Sequence, residues 1–215
     1  PDNLLEIERE TYKGGRTEVF KHKYERDWND KKDTGMKYYD INSSYPASMR
    51  YEMPFKFIGK IETDQVIKNV DELIKHYIYI AKSTYVGKKQ NIGGVEMMVK
   101  DPHIIPNLLI REKKSKSIVA VKNTDFAPHW GCELIEAMNN GFEIEIKAVY
   151  MYSSKDIFAK FANYFYNERL KIKKTNPALA TFYKLVMNSL YGKFAQKVFD
   201  KSDIVNSTSE LFKII

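Results

Sequence analysis

"FEIEIKAVYMY", residues 142–152, alternates apolar and polar side chains over most of its length. A period of two is typical of a β-strand that packs one face on a core. Just before it, HWGCELIEAMNNG (129–141) has the pattern of a helix closed by Gly141, because glycine readily adopts the left-handed conformation at a helix end. A helix, a glycine turn and a long strand are therefore predicted in this order.

Two helices are predicted to follow this strand as an antiparallel hairpin. The first spans 153–174 and begins with a capping box from Ser153 to Asp156. A turn follows, in which Asn176 caps the second helix and Pro177 takes its first position, where the missing N–H of proline costs nothing. The second helix is predicted from about 177 to 190.

The rest of the chain is predicted to mix strands and helices. Residues 4–11 could form a strand or a helix. Residues 63–76 have apolar side chains at helical spacing, with Thr63 as N-cap. Residues 46–53 are predicted as a short helix that Pro46 starts. The remaining predicted strands are 35–41, 55–62, 77–86, 94–100, 107–112 and 117–122.

Composition excludes several classes of protein. The 215 residues are 43% hydrophobic and 29% charged, which is an ordinary globular composition with room for one or two cores. The sequence has no run of 18 or more apolar residues, so no membrane span is predicted, and no signal peptide is evident. Cys132 has no second cysteine to pair with, and the four histidines are scattered, so we expect surface or half-buried histidines and no structural zinc site. The start at Pro1 suggests a processed end or a fragment.

Positive charge is concentrated in one segment. Residues 155–201 hold ten basic and three acidic residues, an excess equal to the +7 of the whole chain. A local positive field favours a polyanionic partner, either nucleic acid or nucleotide phosphate. The alternative is a solvated basic face without a partner.

Three of these basic residues are predicted to face one groove. Arg169 and Lys173 are four residues apart and share a helix face. With the turn near 175–176, Lys184 lies level with Arg169 to within about 3 Å along the antiparallel hairpin. Three such cations could clamp a triphosphate.

The second helix continues this stripe. Asn188, Tyr191 and Gly192 follow Lys184 at helical spacing. Tyr191 could stack on a base, and Gly192 would let the backbone approach it. Asn188 could orient Tyr191 or bond the ligand. The alternative is that Leu190 and Tyr191 pack the hairpin while the lysines are solvated.

The stretch KLVMNSLYGKF, 184–194, resembles motif B of family B DNA polymerases, K-x-x-x-N-S-x-Y-G. In that family, the motif is a fingers helix that holds the incoming nucleotide and the templating base pair. The resemblance implies nucleotide binding by Lys184, Asn188, Tyr191 and Gly192, and by Arg169 and Lys173 on the first fingers helix. The register of that helix is open by one turn, so Lys171 or Lys174 could take these roles instead.

A second motif lies in YYDINSSYPASM, 38–49, where a carboxylate at the end of a predicted strand precedes a tight turn. Such a carboxylate could hold a divalent ion, and the turn N–H groups at 43–45 could reach phosphates. On its own, Asp40 could equally be an ordinary strand-end turn or a helix cap.

This stretch resembles motif A of the same family, D-x-x-S-L-Y-P-S, with Ser44 in place of the usual leucine. The resemblance implies that Asp40 is catalytic and binds Mg²⁺ with the backbone carbonyl of Ile41. It also implies that Ser43, Ser44 and Tyr45 bind the nucleotide, and that Tyr45 excludes ribonucleotides. The intact enzyme would use two Mg²⁺ ions. This chain would supply the ligands of at most one half-site.

TYKGGR, 11–16, is similar to the Y-x-G-G segment that touches the template strand in these enzymes. A base or sugar could contact the tyrosine, and phosphates could contact the basic residues. The residues expected to bind DNA are Tyr12, Lys13, Gly14, Gly15, Arg16 and Lys193.

The spacing of the motifs resembles the protein-primed branch of the family, found in phages, adenoviruses and linear plasmids. That branch has a terminal-protein-binding subdomain between motifs A and B. The fold expected is α+β, with part of a palm whose sheet is mixed or antiparallel, an inserted α+β subdomain and an antiparallel helical fingers hairpin. The predicted parts are the Y-x-G-G segment with the first palm residues (1–51), the insertion (52–150), the fingers (151–197) and the return to the palm (198–215).

Two family signatures are missing from the sequence. No D-x-E exonuclease motif precedes residue 12, and motif C, Y-x-D-T-D-S, does not follow motif B. KNTDF (122–126) precedes motif B and lacks the first aspartate of motif C. Since two-metal catalysis needs further carboxylates, we expect a polymerase fragment that is inactive alone and could self-associate through an incomplete palm sheet.

The expected partners are template and primer DNA, a deoxynucleoside triphosphate and a terminal protein, with no membrane. A phage, prophage or plasmid protein in the cytoplasm of a bacterial host is expected. Two other functions stay open. One is a non-catalytic module that binds nucleic acid or a terminal protein, and the other is a basic hairpin with a general scaffolding role.

Overall fold

A four-stranded antiparallel sheet forms the centre of the chain, and the strand predicted at 142–152 is one of its two inner strands. The computed structural model describes residues 3–14, 19, 23–41, 43–92, 94–101, 104, 106–112 and 117–194. Its helices are α1 (Leu4–Thr11), α2 (Ser44–Ser48), α3 (Gly131–Asn139), α4 (Ala159–Ile172) and α5 (Pro177–Phe194). Its strands are β1 (Met53–Ile67), β2 (Ile78–Tyr85), β3 (Lys88–Ile92), β4 (Val95–Val99), β5 (Leu109–Arg111), β6 (Ile118–Ala120), β7 (Ala127–Trp130) and β8 (Phe142–Lys155).

Strand β8 connects the two sides of the sheet, whose order is β1-β8-β2-β7. It pairs with β1 along nearly its whole length, from Lys155 opposite Met53 onward. Its other edge pairs with β2 over residues 142–150. The strand predicted at 142–152 is thus confirmed, and it continues to Lys155.

The core lies on one face of this sheet. Every second side chain of β8 is buried from Phe142 to Tyr152, as the alternation predicted. The side chains at the start of the strand pack with Leu134 and Ala137 of α3, and those near its end pack with Ile7 of α1. Burial of these apolar side chains holds both helices against the sheet.

The helix predicted at 63–76 is wrong. Residues up to Ile67 continue β1, because residues 65–67 pair with residues 144–146 of β8 after an irregularity at 63–64. Only a 3₁₀ turn at Val70–Glu72 follows, where the Asn69 side chain accepts from the Asp71 N–H at 3.1 Å. Helical spacing was present in the sequence, but tertiary pairing decided the conformation.

The strand predicted at 35–41 is also wrong. This segment pairs with no strand in the described part of the chain. Its aromatic residues face solvent, with Tyr38 92% and Tyr39 82% exposed. Without an adjacent strand, the backbone cannot form the ladder that defines a β-strand.

The helical hairpin begins later than predicted. Residues 153–155 still belong to β8, so the capping box at Ser153 does not form, although Asp156 accepts from the Ala159 N–H at 3.0 Å. The Asn176 cap is confirmed, since its side chain accepts from the Leu179 N–H at 3.1 Å. Helices α4 and α5 pack through an edge-to-face contact between Phe165 and Tyr183, with ring centres 5.7 Å apart. The second helix runs to Phe194, one turn beyond the prediction.

The remaining elements complete the α+β fold. Residues 4–11 form a helix, and the short helix predicted from Pro46 begins at Ser44. The other predicted strands are confirmed as β1, β2, β4, β5 and β6, whereas β3 and β7 were not predicted. Strand β8 runs through residue 150, where the insertion was expected to end. None of the helices in the described ranges is long and apolar enough to cross a membrane.

The packing of α3 on the sheet predicts that Gly131→Ala strongly lowers the stability of the fold. The Gly131 N–H donates to the Tyr77 carbonyl at 2.8 Å, and an added Cβ would lie 2.1 Å from the Ile74 carbonyl oxygen. We expect the free energy of unfolding to fall by about 2–3 kcal/mol, because backbone must shift to relieve the overlap. Urea denaturation followed by circular dichroism measures this change.

Gly59→Ala is the matched control for that substitution. Its added Cβ would meet only the flexible Met151 methyl, at 3.4 Å. We expect a change below about 1 kcal/mol. Equal effects of the two substitutions would contradict the packing argument.

Candidate functional site

A cleft of about 430 Å³ lies between α2, the segment before it, and the two hairpin helices. This main cleft brings together residues that are more than 120 positions apart in the sequence. Most of the side chains that line it are polar or charged, whereas those of the core are apolar. Its lining residues are Asp40, Ile41, Ser43, Ser44, Tyr45, Pro46, Tyr166, Arg169, Leu170, Lys173, Lys184, Met187 and Asn188.

The three predicted cations all line the main cleft. Arg169 and Lys173 reach it from α4, and Lys184 reaches it from α5. None of the three pairs with a carboxylate in the described part of the chain. The cleft therefore concentrates positive charge that the protein itself leaves uncompensated.

The structure also distinguishes between the alternative registers of α4. Lys171 forms an ion pair with Glu168 at 2.6 Å, and this contact raises the pKa of the lysine. Neither Lys171 nor Lys174 lines the main cleft. The register that uses Arg169 and Lys173 is the one that directs cations to the cleft.

The opposite wall of the cleft carries a single carboxylate, that of Asp40. The carboxylate and the Ile41 carbonyl are hard oxygen ligands of the type that Mg²⁺ prefers. Within the described ranges, no three His, Cys, Asp or Glu side chains are grouped to hold a metal ion. Asp40 thus fits one part of a metal site rather than a complete one.

A strained turn joins Asp40 to α2. Ser43 has φ of 55° and ψ of 41°, a left-handed conformation that is uncommon for residues other than glycine. Helix α2 begins directly after it and places Ser44 and Tyr45 on the cleft. Such strain is maintained only where the surroundings determine the backbone, and it occurs frequently at functional sites.

Buried apolar residues fix the floor of the cleft. Pro46 of α2 and Met187 of α5 are both buried and both line it, so the short helix is held against the hairpin. Tyr166 and Leu170 line the cleft too, although the sequence reasoning missed them. They precede Arg169 and Lys173 by three residues, a helical spacing that could have identified them.

The last turns of α5 hold the remaining predicted residues of the hairpin. The Tyr191 side chain lies outside the described part of the chain. Gly192 lies in the helix, and no described atom is within 4 Å of the position of an added Cβ. The described chain thus gives no packing reason for glycine there. Lys193 is exposed and is not among the residues that line the main cleft.

The predicted DNA-binding segment 11–16 does not reach the main cleft with its described residues. Tyr12 lines a separate apolar cavity of about 470 Å³, and Gly14 is exposed. The Lys13 ammonium is 3.5 Å from the Pro128 carbonyl and 3.4 Å from Nδ1 of His129, and burial lowers its pKa. Gly15 and Arg16 lie outside the described residues.

His129 contradicts the expectation that the histidines lie at the surface or are half-buried. Its side chain is 0% exposed, and burial together with the Lys13 charge lowers its pKa to about 3. It is therefore neutral at physiological pH. His76 is half-buried as expected, and His22 and His103 lie outside the described residues.

Comparison with known proteins gives a family match over almost the whole chain. The model of the family described as "DNA polymerase type B, organellar and viral" matches residues 3–215. A probable DNA polymerase of Neurospora intermedia is 27% identical over 167 residues, which are 74% of this chain and 16% of that protein. The DNA polymerase of Streptococcus phage Cp-1 is 27% identical over 175 residues, which are 74% of this chain and 27% of that protein. The chain thus spans about a quarter or less of the length of the relatives it matches.

A solved structure supports the fold. The chain is similar to Phi29 DNA polymerase in an orthorhombic crystal form, with a TM-score of 0.50 and 22% sequence identity. The match covers 74% of this chain and 26% of that one. The predicted α+β fold, corresponding to a part of a polymerase, is confirmed by this likeness.

The buried His129 predicts a distinct pH dependence of stability. The unfolded state binds a proton at this group below about pH 6.5, while the folded state does so only near pH 3. Stability contributed by the neutral ring is therefore complete above pH 6.5 and is lost as the pH falls towards 3. We expect this group to add a slope of about 1.4 kcal/mol per pH unit between pH 6 and 4.

His129→Gln should remove that slope while keeping a side-chain acceptor for Lys13. Urea unfolding of both proteins at several pH values measures the difference. Parallel pH profiles of the two proteins would contradict a buried neutral histidine.

Proposed function

This chain belongs to the organellar and viral type B DNA polymerases, and we propose that it forms the nucleotide-binding part of a longer enzyme that extends a DNA primer. One observation carries the proposal. The main cleft places one carboxylate, Asp40, opposite three cations that have no carboxylate partner in the described ranges. A Mg²⁺-bound triphosphate has the charge distribution that fits between them.

The proposed reaction is phosphoryl transfer. The hydroxyl at the primer end attacks the α-phosphate of a deoxynucleoside triphosphate, a new P–O bond forms, and pyrophosphate leaves. Type B polymerases depend on divalent metal, and two Mg²⁺ ions would activate the hydroxyl and stabilise the leaving group when bound. In this chain, Asp40 and the Ile41 carbonyl would hold one of them.

The cations have a separate task in this proposal. Arg169, Lys173 and Lys184 neutralise the triphosphate and fix its orientation relative to the primer end. The planar fork of the arginine can bind two phosphate oxygens at once, whereas each lysine acts as a point charge. Backbone N–H groups at Ser43 and Ser44 would add contacts to phosphate.

Residues at the edge of the cleft would shape the base-pair pocket. Tyr45 is 46% exposed and lines the cleft, where its ring could lie against the sugar and exclude a 2′-hydroxyl. Asn188, Tyr191 and Gly192 would face the nascent base pair. Open space around Gly192 supports a close approach by a ligand rather than by another part of the protein.

The partners proposed for the intact enzyme are template and primer DNA and a terminal protein. Tyr12, Lys13, Gly14, Gly15, Arg16 and Lys193 are the residues proposed to contact DNA. Residues 52–150 are proposed as the insertion that binds the terminal protein, between the palm segment 1–51 and the fingers 151–197. Residues 198–215 would return to the palm, whose incomplete sheet could self-associate. A phage, prophage or plasmid origin and a cytoplasmic location are part of this proposal.

A second candidate function is a non-catalytic module that binds nucleic acid or a terminal protein. Among the residues that the structure describes, only one carboxylate lines the main cleft, and this favours the second candidate. Both candidates predict nucleic-acid or partner binding, so primer extension is the measurement that separates them.

Asp40→Ala tests the enzymatic role. We expect primer extension by a longer protein that carries this sequence to fall at least about a thousandfold, because loss of a metal ligand removes electrostatic stabilisation of the transition state. DNA affinity, measured by fluorescence anisotropy, should stay within about twofold, since no phosphate contact is lost. Near-normal extension by the variant would refute the role of Asp40.

Lys184→Ala tests the nucleotide clamp on the 215-residue chain itself. The affinity for Mg²⁺ and a deoxynucleoside triphosphate, measured by isothermal titration calorimetry, should fall by at least about tenfold, because a charge-assisted phosphate contact is lost. Lys171→Ala is the matched control, since it removes the same charge from the same hairpin outside the cleft. Equal losses in the two variants would mean that only the general positive field matters.

A further inference from the structure

A second, smaller chamber adjoins the main cleft. Its volume is about 140 Å³, compared with about 430 Å³ for the cleft, and Ser43, Pro46 and Tyr166 line both. The other residues of this Arg50 chamber are Ala47, Arg50, Ala162 and Asn163. The two cavities thus have three lining residues in common.

The Arg50 chamber lies nearer to the start of α4 than do the three cations of the clamp, Arg169, Lys173 and Lys184. Asn163 and Arg169 are six residues apart on α4, which corresponds to about 9 Å along the helix axis. On the other side, Ala47 and Arg50 come from the C-terminal end of α2 and the turn after it. The chamber therefore lies along α4 from the three cations of the main cleft, towards the start of that helix.

The chemistry of the chamber favours an anion. Its polar side chains are one guanidinium, one amide and two hydroxyls, all of which can donate hydrogen bonds. None of the described residues that line it carries a carboxylate, whereas Asp40 lines the main cleft. The Arg50 guanidinium has no carboxylate partner in the part of the chain that the structure describes.

The size of the chamber is compatible with a small inorganic anion. Its volume is about a third of that of the main cleft. The reaction in the cleft would release one such anion, pyrophosphate. A planar guanidinium that binds two oxygens of a phosphate group is well suited to it.

We propose that the Arg50 chamber is a product site that receives pyrophosphate from the main cleft, with Arg50 as the binding cation. The inference rests on the proposed function, because it takes the pyrophosphate from nucleotide incorporation. Arg50 would then contribute to the release of product and to its inhibition of the enzyme, but little to the binding of the incoming nucleotide. No residue of the clamp would be needed to hold pyrophosphate in the chamber.

The test measures the affinities of the 215-residue chain for two ligands, inorganic pyrophosphate and dATP. Both are titrated in the presence of Mg²⁺ by isothermal titration calorimetry. Arg50→Gln should lower the affinity for pyrophosphate by about tenfold or more, and the affinity for dATP by less than about twofold. Lys184→Ala should lower the affinity for dATP by about tenfold or more and the affinity for pyrophosphate by less than about twofold. Arg50→Lys should recover part of the pyrophosphate affinity, because it keeps the charge and loses the fork.

Lys68→Gln is the matched control for the loss of one positive charge, since Lys68 is exposed and lines neither cavity. It should change both affinities by less than about twofold. Circular dichroism of each variant should match that of the parent chain.

The other outcomes separate the inference from the proposed function. If Arg50→Gln lowers the affinities for both ligands equally, or changes neither affinity, the product site is refuted while the nucleotide clamp stands. If Lys184→Ala abolishes pyrophosphate binding and Arg50→Gln leaves it intact, pyrophosphate binds in the main cleft and the inference fails. If dATP does not bind, or binds without dependence on Lys184, the proposed function itself fails.

Discussion

The antiparallel pairing of β8 with β1 is the interaction on which the site depends. Lys155 at the end of β8 lies opposite Met53 at the start of β1, although about a hundred residues separate them. Helix α2 ends at Ser48, shortly before β1, and α4 begins at Ala159, shortly after β8. The register of these two strands therefore sets α2 beside the hairpin. A slip of one residue would reverse which side chains of β8 face the core, so burial of alternate residues fixes the face that β8 turns to the core.

Where the sequence predicted structure correctly, the signal was local. Alternation over 142–152 gave the central strand, and the Asn176–Pro177 pair gave the start of α5, because a side-chain cap and a fixed φ act within one turn. The errors came from contacts with distant residues. Residues 65–67 lie in the predicted helix but pair with β8, and residues 35–41 have strand character but no adjacent strand in the described ranges. Periodicity cannot encode a partner that is eighty residues away, and for such segments the partner determines the conformation.

The site residues were more predictable than the elements that carry them. Arg169, Lys173 and Lys184 were placed on one groove from helix geometry alone, and all three line the main cleft. A charged side chain on a helix surface is positioned by its helix, and the cap at Asn176 that starts the second helix is visible in the sequence. Tyr166 and Arg50 were missed because neither has a motif of its own. They matter through the space between α2 and α4, which exists only when β1 and β8 have paired.

Two backbone features lie in the segments proposed to bind the nucleotide. Ser43 adopts a left-handed backbone conformation that costs about 1–3 kcal/mol for a residue other than glycine, and no described atom lies near the space that a side chain at Gly192 would fill. The cations add to this pattern, since three like charges around one cleft repel each other and destabilise the protein without a ligand. The buried His129 shows the opposite behaviour, because the core keeps it neutral and avoids the cost of a charge. The fold thus keeps the buried His129 neutral and concentrates positive charge and backbone strain along the main cleft. A polyanionic ligand would compensate that positive charge.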